Sequence, residues 1–436
     1  MKFSIHTMGC KVNQAESSAM EERLKAAGHE PSGESEPALV VLNTCCVTQA
    51  AEKEAFQILR RLRRRHPGAK VIAAGCLAQI AAGRLLEGGL SDMALGNSWK
   101  GRVAEIAGGG LIPDGAAMLG GGPDDGFADG APGFPAGRAR AFQKIQDGCS
   151  RSCSYCVIPS IRGPSRSLPL GRALAGIKAL AARGAAEVVL TGIHLGSWGP
   201  DLEPKADLAG FLEAVARELS PDPGRFRLRL SSLEPGEAMP LLPAFGRTPH
   251  LAPHLHLPLQ AGSDRTLAAM RRPYTSARYR AAAEAFAGSV PGISIGADLI
   301  AGFPGETEDD FEEGLDFVRS LPLAYLHVFP FSERPGTRAA SMPGQVPLGE
   351  RRRRAAALKA ADSELRARFL EASLGREHLA VAENSVHPKS GRRRVLTGNY
   401  ITALLPAGSP APGGRLSRVA LLPSRNPWGL PEAEPC

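Results

Sequence analysis

The chain has 436 residues, a net charge of +8, 43% hydrophobic residues, 50 glycines and 36 prolines. That length predicts roughly three domains of about 150 residues, each able to bury a core without disulfide help. No window reaches about 18 uninterrupted apolar residues and Met1–His6 does not open a signal peptide, which argues against a membrane span and for a cytoplasmic protein with reduced thiols.

Residues 1–107 repeat a strand, turn and helix, the pattern of an open parallel α/β sheet. Lys2 to Thr7 reads as a strand, and Asn13 with Glu16 reads as a capping box opening a helix that Gly28 ends. Ala38 to Leu42 is a second strand, and the helix after it, from Thr48, stops before His66-Pro67-Gly68. Lys70 to Ala74 is a third strand, and the next helix carries Leu77, Ile80 and Leu85. Cys10, Cys45 and Cys76 each lie just past one of these strands. The carboxyl ends of parallel strands share one edge, where ligands bind, so three thiols distant in sequence are expected to converge. Cys46 adjoins Cys45, and position alone leaves open which of the two faces the crevice.

Residues 108–137, rich in Gly, Pro and Asp, read as a linker. From 138 to 370 the alternation resumes, with strands expected at Phe142–Gln146, Glu187–Thr191, Arg225–Ser231, His254–Pro258, Ile293–Ile300 and Leu323–Phe329. Helical stretches at Leu170–Ala182, Leu208–Leu219, Thr275–Ala287 and Thr307–Ser320 separate most of them. Repeated right-handed crossovers of this kind give a partial (β/α)6 barrel whose chemistry sits at the strand carboxyl ends. Residues 371–436, with strands at Glu377–Ala382 and Arg394–Leu405, form a small β-domain.

After the first barrel strand comes Asp147-Gly148-Cys149-Ser150-Arg151-Ser152-Cys153-Ser154-Tyr155-Cys156. A structural zinc site takes four protein ligands, and this loop supplies three. A cubane cluster held by three thiolates leaves one iron for a small-molecule ligand, which explains stopping at three. Basic runs at Arg60–Arg65, Arg351–Arg354 and Arg392–Arg394 read singly as solvated faces, and together as a surface for nucleic acid.

The loop and its position resemble the signature of radical S-adenosylmethionine (SAM) enzymes. Further motifs extend the resemblance to the methylthiotransferases: Gly9-Cys10-Lys11-Val12-Asn13, Asn43-Thr44-Cys45, Gly75-Cys76-Leu77, Leu190–His194, His254–Ser263, Gly302–Thr307 and Phe331–Thr337. The resemblance implies two [4Fe–4S] clusters. Cys149, Cys153 and Cys156 would hold the one that binds SAM. Cys10, Cys45 and Cys76 would hold an auxiliary one, with Cys45 rather than Cys46 as ligand. It also implies SAM contacts at Tyr155, Thr191, Gly192 and Glu234, a low-potential electron donor, and no catalytic general base, since a carbon without an acidic proton needs radical abstraction. Gly-Cys-Lys-Val-Asn is similar to the branch acting on N6-threonylcarbamoyladenosine in the tRNA anticodon stem-loop. Arg394–Tyr400 resembles part of the RNA-binding TRAM domain, where Tyr400 would stack on a base or fill a hairpin. The alternatives are a sibling enzyme acting on isopentenyladenosine or on a ribosomal-protein aspartate, and a non-catalytic zinc-containing RNA-binding protein.

Overall fold

The computed structural model describes all residues except 109–114, 121–126, 128–131, 135–136, 220–225, 410–413 and 427–428. Its first body is a wholly parallel sheet of β1 (Lys2–Thr7), β2 (Glu30–Pro31), β3 (Leu39–Thr44), β4 (Lys70–Gly75), β5 (Met93–Leu95) and β6 (Ala117–Met118). The order is β2-β1-β3-β4-β5-β6. It changes direction between β1 and β3, the kind of position at which doubly wound sheets take ligands. Alternate side chains serve opposite faces. Leu39, Val41, Ile72 and Ala74 pack with Met20 and Leu24 of α1 (Lys11–Ala26). Val40, Leu42, Val71 and Ala73 pack with Phe56 and Leu59 of α2 (Gln49–Arg65) and with Leu77 and Leu85 of α3 (Cys76–Glu87). A sheet covered on both sides needs unbroken apolar strands, and Leu39–Thr44 is one.

Two expectations are corrected here. The capping box at Asn13 and Glu16 does not form. α1 starts earlier, at Lys11, with Cys10 at its N-cap and no side-chain cap. The Asn13 amide instead donates to the carbonyls of Met8 and Thr44, at 2.8 and 2.9 Å, tying the helix to the sheet edge. The second correction concerns the stretch read as linker. Ala117–Met118 pair with β5, and Phe127 is buried in the barrel core. Much of the remainder lies outside the described residues.

The second body holds β7 (Arg140–Lys144), the short pair β8 (Gln146–Asp147) and β9 (Arg166–Ser167), β10 (Glu187–Thr191), β11 (Arg227–Leu230), β12 (His254–His256), β13 (Ser294–Ala301) and β14 (Tyr325–Pro330). Two parallel sheets, β11-β10-β7 and β12-β13-β14, meet through a bridge between Leu228 and Leu251. This is the expected open barrel. Its edge strand β7 packs against α1.

The long helix Leu348–Ser373 leads to a closed barrel, β15 (Glu377–Val386), β16 (Arg393–Thr397), β17 (Thr402–Leu404), β18 (Leu416–Leu422) and β19 (Glu432–Pro435). The proline-rich tail supplies the closing strand, β19, which pairs with both β17 and β18. The single strand expected over Arg394–Leu405 is two strands, because the chain turns at Tyr400, where φ is +69°.

The run Arg351–Arg354 is in large part not an RNA surface. Arg351 and Arg354 are buried, paired with Glu333 and with Glu306, Glu308 and Glu350. Among the described residues, no helix is long and apolar enough to cross a membrane.

Candidate active site

Registers Thr7↔Asn43 and Thr44↔Gly75 align the ends of β1, β3 and β4. Neighbouring strands lie about 4.8 Å apart, so the residues that follow them sit side by side. Cys10, Cys45 and Cys76 are those residues, and each lies within electrostatic reach of the others. Close approach needs Gly9. It has φ +84°, and a Cβ there would fall 2.6 Å from Cβ and 2.9 Å from Sγ of Cys45. Burial raises the Cys10 thiol, and raises that of Cys45 to about 11. Cys45 and Cys76 are buried, whereas Cys10 keeps an open side. Cys46 is fully enclosed in the core, where desolvation pushes its thiol far up. All eight cysteines are free.

The second triad lies on the loop that β8 and β9 close, since Gln146 pairs with Ser167 and Asp147 with Arg166. Gln146 is the anchor. Its amide donates to Gly148 O at 2.8 Å and its oxygen accepts from the His194 N–H at 2.7 Å, binding the loop to the end of β10. The loop's tip is fixed by Ser154, which donates to the carbonyls of Met270 and Ala269. Cys149, Cys153 and Cys156 are half-buried, and N–H donors face two of them. The Arg151 amide lies 3.5 Å from Cys149 Sγ, and Arg272 Nη1 lies 3.1 Å from Cys153 Sγ. Desolvation opposes ionisation of Cys149, but hydrogen bonds from His194 and Arg151 outweigh it and hold the thiol below its ordinary value. Burial, with Cys153 and Cys149 alongside, raises Cys156 to about 11. His194 rises to about 9, against desolvation, because Cys149 and Glu237 face it.

The other expected site residues collect around this loop. Thr191 ends β10, and Gly192 packs so closely on Gln146 that a Cβ would fall 2.7 Å from its Oε1. Glu234 is buried between Arg151 and Arg272, at 2.9 and 2.8 Å. Tyr155 is half-buried, edge-on to Phe303. Arg272, Arg151 and Glu237 escape sequence reasoning, because contacts across 119 or 83 residues leave no local pattern.

A buried ion cluster joins the two triads. Glu16 of α1 accepts from Lys100 at 2.5 Å, from Lys144 at 2.9 Å and from Arg162 at 2.8 and 3.1 Å. Arg162 also reaches Asp147 and Asn13, both at 2.9 Å. Asp147 precedes the barrel's cysteine loop, Arg162 follows it, and Asn13 and Glu16 follow Cys10. The sulfur sites are therefore fixed to one another through buried charge.

The lumen of the open barrel is polar. Glu187 binds Arg140, Arg227 and Arg229 at 2.6, 2.6 and 2.8 Å. Arg227 and Arg229 go on to the carbonyls of Leu379, Leu396, Thr397 and Gly398, which seals the small barrel against the larger one. Asp298 lies 3.0 Å from His256 and 3.2 Å from His327. Tyr400 is not displayed for base stacking. Its ring sits 4.5 Å from that of His254 and beneath Arg229, plugging the lumen. Lys11, adjacent to Cys10, faces these groups, and desolvation with Arg229 and Arg140 lowers its ammonium to about 8.

An open β/α barrel with a three-thiol loop after its first strand defines a radical SAM enzyme, and residues 144–318 match the Radical SAM superfamily. Residues 2–96 match the Uncharacterized protein family UPF0004. The chain is 33% identical over 381 residues to the threonylcarbamoyladenosine tRNA methylthiotransferase MtaB of Thermotoga maritima, covering 87% of this chain and 86% of that one. It is 34% identical over 434 residues to the tRNA-2-methylthio-N(6)-dimethylallyladenosine synthase of Moorella thermoacetica, covering 96% and 95%. The radical SAM methyltransferase TsrM of Kitasatospora setae shares the fold, with a TM-score of 0.55 at 16% identity over 78% of this chain and 77% of that one. The chain belongs to the radical SAM methylthiotransferases. It is thus an enzyme that uses SAM and an iron–sulfur cluster.

Proposed function

We propose that the substrate is tRNA and the reaction the methylthiolation of C2 of N6-threonylcarbamoyladenosine beside the anticodon. Residues 1–107 would carry the auxiliary site, 138–370 the SAM site, and 371–436 the RNA-binding module. The observation that carries the reading is the pair of three-thiol sites, one at the edge of the sheet and one at the top of the barrel, held together by the Glu16–Arg162 cluster. The donor sets fit cubane clusters. Each offers three free thiols, and the barrel set already receives N–H donors at 3.1 and 3.5 Å, as an anionic cluster requires.

Cys149, Cys153 and Cys156 would hold the SAM cluster, and Cys10, Cys45 and Cys76 the auxiliary one. When bound, these clusters supply one-electron reduction of SAM and the sulfur to be transferred. The chain's own residues bind and orient. Arg272 donates to Cys153 and holds Glu234, and Glu234, Thr191 and Gly192 would contact SAM. Tyr155, which packs edge-on against the buried Phe303, would lie against SAM. No side chain is assigned as a general base.

The second reading, dimethylallyladenosine as substrate, is favoured by relatives carrying that name at equal identity. Nucleoside mass spectrometry of tRNA from cells with and without the gene decides. Loss of 2-methylthio-N6-threonylcarbamoyladenosine alone supports the proposal, and loss of the methylthio dimethylallyl nucleoside instead overturns it.

A further inference from the structure

The strands β12, β13 and β14 lie side by side, with His256 opposite Gly296 and Asp298 opposite His327. Leu255, Ile295, Ala297, Leu299 and Leu326 pack outward, into the core shared with the helices Ser276–Ser289 and Glu308–Ser320. Side chains alternate along a strand, so His254, His256, Asp298, Tyr325 and His327 all face the lumen. There they form one hydrogen-bonded chain. A single oxygen of the Asp298 carboxylate accepts from His256 Nε2 at 3.0 Å and from His327 Nδ1 at 3.2 Å. With those donors fixed, His256 Nδ1 accepts from the Tyr325 hydroxyl at 3.1 Å, and that hydroxyl accepts from His254 Nε2 at 2.9 Å. Gly296 makes room for the chain, since a Cβ there would fall 2.1 Å from the Tyr325 ring.

Exposure rises along this chain. His254 is buried against Tyr400, the His256 side chain is 6% exposed, that of Asp298 24% and that of His327 50%. The open end carries two unused groups. Among the described residues, neither Nε2 of His327 nor the second carboxylate oxygen of Asp298 has a hydrogen bond. The chain also borders the proposed SAM site. The His256 carbonyl accepts from the Leu233 N–H at 3.0 Å, and the next residue, Glu234, is held by Arg272. An oriented acceptor and an oriented imidazole left open on one wall suit a group that brings its own donors and acceptors. A hydrocarbon in the same place would strip water from both and return no hydrogen bond.

We propose that His327, held by Asp298, is a specificity-determining residue, and that the pair hydrogen-bonds the polar N6 substituent of the target adenosine. This rests on the reading of threonylcarbamoyladenosine as substrate. A threonylcarbamoyl group carries N–H and O–H donors and a carboxylate, whereas a dimethylallyl group carries none of these. The Asp298 anion takes an N–H or the hydroxyl. The substituent's other polar atoms fall to His327 Nε2, which accepts in the neutral ring and donates in the charged one.

The test is equilibrium binding to the anaerobically reconstituted holoenzyme. The probes are synthetic anticodon stem-loops that differ only at one base: threonylcarbamoyladenosine, dimethylallyladenosine and adenosine. His327→Phe keeps a ring to pack on those of His256 and Tyr325, 5.1 and 5.2 Å away, and removes both nitrogens. Wild type is expected to bind the threonylcarbamoyl probe at least about tenfold more tightly than adenosine, and His327→Phe is expected to erase most of that ratio. Each protein is compared with itself across the probes, so a partial loss of folded material cancels, and iron content shows that the clusters remain. If wild type favours the threonylcarbamoyl probe and His327→Phe keeps the same ratio, the assignment is overturned and the substrate reading stands. Equal binding of the threonylcarbamoyl and adenosine probes by wild type also overturns the assignment. If wild type instead favours the dimethylallyl probe, the substrate reading itself fails. All titrations are run with and without added Mn2+. A preference that needs Mn2+ overturns direct hydrogen bonding, in favour of an ion between His256, Asp298 and His327.

Discussion

Replacing Glu16 by Gln removes the anion that holds the two cysteine sites together. Glu16 is buried and accepts from three cations, Lys100, Lys144 and Arg162, whose side chains are themselves 10% exposed or less. With the charge gone, Lys144 and Arg162 still reach Asp147 and Arg162 keeps the neutral Asn13, but Lys100 loses the carboxylate it pairs with. Breaking a buried pair from one side costs about 3–5 kcal/mol, because the desolvated partner is left uncompensated. For a chain of this size each kcal/mol moves the melting midpoint by about 1 °C, so a fall on the order of 3–5 °C is expected. Anaerobic thermal unfolding followed by circular dichroism measures it. A double-mutant cycle of Glu16→Gln with Arg162→Met should show non-additivity of about 1 kcal/mol or more, since the two side chains share two hydrogen bonds. A shift of less than about 2 °C, or strict additivity, would refute the claim that this cluster fastens sheet to barrel.

The same carboxyl, like Glu187, is held well below the ordinary range, since the surrounding arginines and lysines outweigh its desolvation. A depressed folded pKa gives stability that is complete above the unfolded value, about 4.3, and is lost as pH falls below it. Stability of wild type should thus drop below about pH 4, and urea midpoints across pH 3–7 should fall less steeply in Glu16→Gln. Gly9→Ala should lower iron from about eight to about four per chain, because the new Cβ meets Cys45 at 2.6 Å; colorimetric iron assay reads this directly. Cys149→Ala, Cys153→Ala or Cys156→Ala should abolish 5′-deoxyadenosine formation from SAM. Cys10→Ala should permit it yet yield no methylthiolated nucleoside. Arg272→Met should shift the reduction potential of the SAM site by removing the N–H donor at 3.1 Å from Cys153 Sγ, and spectroelectrochemistry would register no change if that contact is idle.

Residue order alone exposed the part of the site that repeats with the fold. Cys10, Cys45 and Cys76 are legible because parallel strands deliver whatever follows them to one edge, and the 149–156 loop is legible because its spacing is local. Helix starts were less so. Asn13 has cap chemistry, but its amide is drawn to Met8 and Thr44 on the sheet, so α1 begins at Lys11. Arginine runs mislead for a related reason. Helical geometry turns Arg351 and Arg354 inward to Glu333 and Glu306 while Arg352 and Arg353 stay outside. The Glu16–Arg162 cluster spans 146 residues and has no local signal at all, and the same holds for Arg272 against Cys153. Tyr400 reads either as a base-stacking aromatic or as a hairpin residue, and the turn at φ +69° points its ring at His254.

The most direct test is the iron and acid-labile sulfide content of the anaerobically reconstituted chain and of its Cys10→Ala/Cys45→Ala/Cys76→Ala variant. Two independent three-thiol sites predict about eight irons in the first and about four in the second, with SAM cleavage retained in the variant. About four irons in both, or loss of all iron from the variant, would contradict the account.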